Sequence, residues 1–366
     1  MISFYLVWVL CYFVLLQLFV KKWPLLPEKP FSEDPVLKVT LLIPFRNEQG
    51  SVSGLAHELG KIRYPDLEII LIDDQSEDDS FSLFQEKLKS DRRVKILRSP
   101  GIGKKAALEF GVGKASGEIV VCTDADCSFP ENWIKNLTAS FYNPKVQLVA
   151  GPVLTSKQET FFQRFQQIEW SSILLLTHYF FSQKSPLMCS GANLAYRKSV
   201  FFRVNGFDQN RQFLSGDDEF LLKKVVKMYG AESCLYLPFA QVLVLTQPQV
   251  DFSSLLNQRV RWAGKWRAHG ELTHSLSALF PFLVQLIWIS SFFLLTLGWR
   301  EILFFLLIWS GKILSEKLAL GHLLGSLGVR HSVLDFIGTG FLHPFYVIAV
   351  GFRSFRGNFT WKGRTN

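Results

Sequence analysis

The sequence predicts an α/β protein, a sheet with helices between its strands, flanked by membrane-spanning helices at both ends. Two observations predict the sheet. Short apolar runs alternate with amphipathic stretches between residues 38 and 124, and three of those runs end in polar or acidic residues. A third predicts the membrane helices: of 366 residues 48% are hydrophobic and 19% charged, and the apolar residues are concentrated towards the two ends.

Ile2 to Val20 carries no charge and approaches the roughly 20 residues a spanning helix needs. No basic residue precedes it and only Lys21-Lys22-Trp23-Pro24 follows, so residues 1–22 read as an anchor and not as a cleaved signal peptide. Pro24, Pro27, Pro30 and Pro35 then mark a linker, because repeated proline excludes helix interior and central strand alike.

The folded domain, residues 36–250, begins with the alternation itself. Lys38 to Pro44, Leu67 to Asp73, Val94 to Leu97 and Glu118 to Asp124 read as strands; Val52 to Ile62, Phe81 to Leu88 and Lys105 to Lys114 read as the helices between them. Such βαβ units imply parallel pairing. Thr160 to Phe181 mixes aromatic and apolar residues with Arg164 and Glu169, and reads as an amphipathic helix at an interface or on the core.

Residues 251–275 form an interfacial stretch, and residues 276–352 hold about three membrane segments: Leu276 to Leu297, Ile302 to Leu314 and Val333 to Phe352. A basic tail, 353–366, carries Arg353, Arg356, Lys362 and Arg364. Lys21-Lys22 places the folded domain on the cytoplasmic side of a multi-pass cell-membrane protein. Three full C-terminal crossings would leave the basic tail outside, so either that tail is external or one segment is re-entrant, with Val333 to Phe352 and its His343-Pro344 the candidate.

The net charge is +9, but the basic residues are spread along the chain and cluster mainly beside the apolar segments, which lipid headgroups and donor phosphates explain better than a nucleic-acid partner, so no nucleic acid is expected. Five cysteines form no CxxC pair and suit a reducing compartment.

Ligands of open α/β sheets bind at the carboxyl ends of strands. Phe45-Arg46-Asn47-Glu48, Asp73-Asp74-Gln75-Ser76 and Asp124-Ala125-Asp126 should therefore converge on one site. Asp124 and Asp126 are hard oxygen donors suited to Mg²⁺ or Mn²⁺ together with substrate phosphate; a solvated turn is the plainer reading. Asp73-Asp74 suits a nucleoside, or the acidic start of the helix that follows. Gly101-Ile102-Gly103-Lys104 joins glycine freedom to a cation suited to phosphate. Gly216-Asp217-Asp218-Glu219 supplies a candidate general base, or merely caps a helix. Gln258-Arg259-Val260-Arg261-Trp262 joins cations to an indole, suited to phosphate and sugar or to a membrane interface.

Together these stretches resemble the family 2 inverting glycosyltransferases of GT-A fold, whose nucleotide-sugar-binding domain is a Rossmann-like mixed sheet. The resemblance runs in order: Ile43-Pro44-Phe45-Arg46-Asn47-Glu48 is similar to the opening P-x-x-N-E strand end, Asp73-Asp74-Gln75-Ser76 to D-D-x-S, and Gly103 to Leu108 to G-K-x-x-A-L. Thr123 to Asp126 is similar to the D-x-D metal motif, Ser190-Gly191-Ala192-Asn193 with Arg197 to the donor and acceptor loop, Gly216-Asp217-Asp218 to G-E-D, and Gln258 to Trp262 to Q-x-x-R-W. The resemblance implies Asp218 as base, with Asp217 the alternative because the family often has Glu there. It further implies metal at Asp124 and Asp126; donor nucleotide and phosphate at Pro44, Asn47, Glu48, Asp73, Asp74, Lys104, Asp124, Gln258, Arg259, Arg261 and Trp262; and acceptor or sugar at Ser190, Gly191, Ala192 and Asn193. Glu109 departs from the usual Asn. Phe359 to Arg364 resembles a motif that follows the last membrane segment in lipid-modifying members.

The expectation is a membrane-bound enzyme that moves a sugar from a UDP- or GDP-sugar to a lipid-linked or membrane acceptor by metal-assisted single displacement. Processive polysaccharide synthesis is the nearest alternative, and a catalytically silent scaffold of the same fold is another. A nucleotidyltransferase would leave Gly216-Asp217-Asp218 and Gln258 to Trp262 without a role.

Overall fold

In the computed structural model the described residues are 1–24, 37–156, 159–211, 216–263, 272–356, 360–361 and 364–365. Most of the proline linker, the later part of the interfacial stretch and Lys362 of the tail lie outside them. The chain divides into two compact units, one of Pro24–Ser156 and Phe180–Gln247, the other of Met1–Trp23, Lys157–Tyr179 and Pro248–Asn366.

The first unit is the α/β domain. Its early elements are β1 (Val39–Phe45), α2 (Val52–Lys61), β2 (Leu67–Asp73), α3 (Ser80–Leu88), β3 (Val94–Arg98), α4 (Lys104–Lys114) and β4 (Ile119–Cys122), α1 being Ile2–Val20 of the other unit. Then come α5 (Trp133–Thr138), β5 (Leu148–Ala150), β6 (Val153–Thr155), β7 (Leu194–Arg197), α7 (Lys198–Arg203), α8 (Asp217–Tyr229), β8 (Cys234–Tyr236) and β9 (Val244–Thr246); α6 (Phe161–Ser182), which precedes β7 in the chain, belongs to the other unit up to Tyr179. Every residue of β1, β2 and β4 is buried, as expected of parallel strands covered on both faces, and this is why they read as unbroken apolar runs. Glu68 on β2 is tolerated there because Thr40 donates to it at 2.6 Å and Lys95 pairs with it at 2.7 Å.

Seven strands pair in the order β3-β2-β1-β4-β7-β5-β8. The β1, β2, β3 and β4 pairings are parallel, but β7 runs antiparallel between β4 and β5, making the sheet mixed. Register opposes Phe45 to Asp73, Asp73 to Arg98, and Leu42 to Cys122. The loops after β1 to β4 thus leave one edge together, and the reversed β7 brings its own preceding loop, residues 190–193, to the same edge. A small second sheet pairs β6 with β9 in parallel.

The second unit is helical: α1, α6, α9 (Phe252–Ala263), α10 (Leu272–Ser290), α11 (Trp299–Ser326) and α12 (Val333–Arg356), ending in a two-stranded ribbon of β10 (Thr360–Trp361) and β11 (Arg364–Thr365). Three stretches among the described residues are long and apolar enough to cross a membrane: Ile2–Val20, Leu279–Thr296 and Val333–Ser354. Pro344 lies inside the continuous helix α12. The apolar stretch Ile302 to Leu314, with Lys312 inside it, belongs to the longer α11, which runs on through Glu316 to Ser326. Those two charges are buried as a 2.6 Å ion pair that also takes the Tyr12 hydroxyl at 2.9 Å, and Lys312 donates to the Gly340 carbonyl at 3.0 Å. Such pairing is what allows ionised groups inside a packed helical bundle. Glycine allows close helix crossings: a Cβ at Gly311 would lie 2.9 Å from Val9, and one at Gly338 2.6 Å from Phe161.

Candidate active site at the carboxyl edge of the sheet

The loop after β1 is fixed from the loop after β2. Asn47, at φ 51°, receives the Glu77 N–H on its Oδ1 at 2.8 Å and donates its own N–H to the Ser76 hydroxyl at 3.0 Å. Arg46 donates to the Asp74 carbonyl at 3.1 Å, bonds the Gln75 carbonyl and pairs with Glu77 at 2.7 Å. Glu48 donates its N–H to Ser80 and accepts from Ser51, both at 2.7 Å. Pro44 is part of the buried strand β1, so it shapes the strand end from within the sheet.

Asp73 and Asp74 are both buried. Asp73 accepts the Ser76 N–H at 2.9 Å and faces Arg98 at 3.7 Å. Asp74 accepts the Gly103 N–H at 2.7 Å. Gly103, at φ 99°, takes a conformation that disfavours other residues and lets α4 begin there. The neighbouring Lys104 is thereby delivered to the acidic residues of two other loops.

Lys104 donates to Asp124 Oδ1 at 2.6 Å and lies 3.6 Å from Asp217 Oδ2. Burial disfavours its ammonium, but the charges of Asp124, Asp217 and Asp218 more than offset this and raise its pKa. Asp126 is held separately: Thr246 at the end of β9 donates to its Oδ2 at 2.8 Å, and Ser128 bridges to Leu245. Burial, then the charge of Asp124, pushes the Asp126 carboxyl above its ordinary range. A divalent cation would relieve that repulsion, so the pair fits a hard metal. Among the described residues no three His, Cys, Asp or Glu side chains gather as a metal cluster.

Helix α8 begins at Gly216, left-handed at φ 89°, with Asp217, Asp218 and Glu219 in its first turn. The helix dipole favours carboxylates there. The two aspartates point to different partners. Asp217 faces Lys104, whereas Asp218 Oδ2 accepts the Gly191 N–H at 3.0 Å and its carbonyl takes the Cys189 thiol at 3.7 Å. Ser190 caps the turn by accepting the Ala192 N–H.

Asn193 is committed to the scaffold: fully buried, it donates to the carbonyls of Pro152 at 2.9 Å and Val242 at 2.7 Å, and accepts from the Trp133 indole at 3.0 Å. Glu109 pairs with Arg211 at 2.7 Å, and Lys105 donates to the Asn210 carbonyl at 2.7 Å, so α4 anchors the chain shortly before α8.

Gln258, Arg259, Arg261 and Trp262 lie on α9 in the helical unit. Arg259 is buried in a two-pronged ion pair with Glu169 on α6, with bonds of 2.6 to 3.2 Å, and its guanidinium sits 4.2 Å from the Trp262 ring and 4.8 Å from that of Trp170. Within this unit its charge serves packing. Gln258 accepts a further bond from it. The roles of Thr246, Trp133 and Glu169 escaped the sequence reading because their partners are remote along the chain and no local motif marks them.

The family model for glycosyl transferase family 2 matches residues 40–203. A β-monoglucosyldiacylglycerol synthase from Trichormus variabilis is 26% identical over 235 residues, 62% of this chain and 48% of that protein. A poly-β-1,6-N-acetyl-D-glucosamine synthase from Staphylococcus epidermidis is 26% identical over 246 residues, 64% of this chain and 58% of that protein. The chain thus spans about half the length of the curated relatives it matches. Among solved structures, a mannosyltransferase from Pyrobaculum calidifontis in complex with GDP-Man and Mn²⁺ aligns over 96% of both chains with a TM-score of 0.56 and 17% identity, a likeness of fold. The mixed sheet, the acidic loops gathered at its edge and the family match together identify residues 40–203 as a family 2 glycosyltransferase domain of GT-A fold.

Proposed function

We propose that the protein is a membrane-bound inverting glycosyltransferase that moves a sugar from a UDP- or GDP-sugar to a lipid or lipid-linked acceptor at the cytoplasmic face of a multi-pass anchor. The observation that carries this reading is the division of labour in the first turn of α8: Asp217 faces the cation Lys104, and Asp218 faces the 189–191 loop. Asp74, Gly103 and Lys104 would take the nucleoside and its phosphates. Asp218 accepts the proton of the acceptor hydroxyl, the hydroxyl oxygen forms a bond to the anomeric carbon, and the carbon–phosphate oxygen bond breaks on the opposite face, releasing nucleoside diphosphate. Inversion follows from the single displacement. Mg²⁺ or Mn²⁺, held by Asp124 and Asp126, would neutralise charge on the leaving diphosphate. The Mn²⁺ in the mannosyltransferase complex supports the choice of metal.

The three helices able to span a bilayer, and similarity to a glucosyldiacylglycerol synthase, favour a lipid acceptor. Equal identity to a poly-N-acetylglucosamine synthase makes polymer synthesis the second reading. The test is nucleoside diphosphate release by the detergent-extracted protein from a panel of UDP- and GDP-sugars, with Mn²⁺, Mg²⁺ or EDTA and with or without membrane lipid. Release that needs metal and rises with lipid supports lipid glycosylation. Release that is indifferent to lipid and accompanies a growing polymer supports the second reading.

A further inference from the structure

We propose that Lys104 is an internal counter-cation that makes divalent-metal binding at Asp124 conditional on a nucleoside diphosphate. The inference rests on the metal and donor roles proposed above. Its geometric basis is that one ammonium, only 20% exposed, contacts the first aspartate of the Asp124/Asp126 pair at 2.6 Å and reaches Asp217 at 3.6 Å. Gly103 fixes the start of α4, with its N–H bonded to Asp74, so Lys104 is offered to these carboxylates from a defined backbone position.

Electrostatics then sets the order of events. A lone divalent ion at Asp124 must approach a fixed positive charge and compete for the oxygen that charge already holds, so Lys104 opposes it. A nucleoside diphosphate reverses the sign, since its oxygens attract both the ammonium and the metal. Lys104 can leave Asp124 for a phosphate oxygen within the reach of its flexible stem. Asp217, already 3.6 Å away, gives the ammonium a second carboxylate during that transfer. Metal and diphosphate thereby bind as a pair, and thermodynamic linkage requires each to strengthen the other by the same factor. Lys104 is a positioning residue in this scheme: it governs when the metal ligand is free and carries no step of the displacement.

The test is Mn²⁺ titration of the whole detergent-solubilised protein, followed by the electron paramagnetic resonance signal of free Mn²⁺, with and without GDP or UDP. In the unaltered protein either nucleotide should tighten Mn²⁺ binding. Lys104→Met should bind Mn²⁺ alone about tenfold more tightly than the unaltered protein and show a correspondingly smaller nucleotide effect, within the usual range of couplings between sites. Lys104→Arg, which keeps the charge, should retain weak lone-ion binding. A merely structural role would not raise metal affinity on removal of the lysine. Unchanged or weaker lone Mn²⁺ binding in Lys104→Met, in a variant that melts as the unaltered protein does, overturns the inference while leaving the metal reading standing. Absence of Mn²⁺ binding to the unaltered protein with both nucleotides overturns the two together.

Discussion

The backbone N–H of Gly191 donates to Asp218 Oδ2 at 3.0 Å, tying the turn before β7 to the first turn of α8. The neighbouring Asp217 faces Lys104 instead. Two adjacent carboxylates therefore have different partners, and the proposed function gives them different tasks. Asp218→Asn should lower transfer by about a hundred- to ten-thousandfold, the usual worth of a general base, with donor binding nearly intact. Asp217→Asn should weaken diphosphate binding more than it lowers turnover. Paired calorimetric binding and product-release measurements separate the two, and normal turnover in Asp218→Asn would remove it as the base.

Gly191→Ala probes the same junction by volume. The added Cβ would lie 2.9 Å from Asp217 Oδ2 and 3.6 Å from Asp218 Cβ. The nearest obstacle is a side-chain tip, which can swing away, so the stability cost should stay under about 1 kcal/mol. Donor affinity should fall because Asp217 leaves Lys104. A thermal melt of the variant that matches the parent, together with a raised KM for donor, is the expected outcome.

Asp126 gives the metal-free protein a pH dependence of defined sign. Its folded-state pKa is raised by burial and by Asp124. The contribution of this proton to stability is therefore full below the unfolded carboxylate range, about 3.9, and is lost as pH rises through the folded value. Asp126→Asn should melt at a higher temperature than the parent at neutral pH in EDTA, with the difference closing towards pH 4. The same substitution should weaken Mn²⁺-dependent donor binding. A variant that melts lower at neutral pH would contradict the assigned strain.

The carboxyl edge was legible in the sequence because the buried strands β1, β2 and β4 each carry an unbroken apolar run, and a charged residue closes each run: Arg46, Asp73 and Asp124. Gly103 was legible as well, since a backbone near φ 99° calls for glycine. The antiparallel β7 was not, because a four-residue strand buried beside β4 has no period of its own to read. Nor was the support of Asp126 by Thr246, or of Asn193 by Trp133, since each joins segments distant in the chain. Lys312 and Glu316 look in sequence like the end of an apolar segment. Their mutual pairing and the Tyr12 hydroxyl let α11 continue through them.

Arg259 tests the packing side of the helical unit. Its ion pair with Glu169 is buried on both sides, and removing one member of such a pair costs about 3–5 kcal/mol by stranding the other charge. Arg259→Met should therefore lower the melting temperature in detergent markedly, and the double variant Arg259→Met, Glu169→Leu should recover much of the loss. A stable Arg259→Met protein with selectively weakened donor affinity would instead assign the guanidinium to phosphate.

The central claim is sugar transfer with inversion to a membrane lipid. Its most direct measurement is the anomeric configuration of the sugar recovered in the lipid extract, read by proton NMR after incubation with the donor that supports diphosphate release. The expected result is a lipid-borne sugar of anomeric configuration opposite to the donor's, absent from the Asp218→Asn reaction. A retained configuration, or diphosphate release with no sugar in the lipid phase, would contradict it.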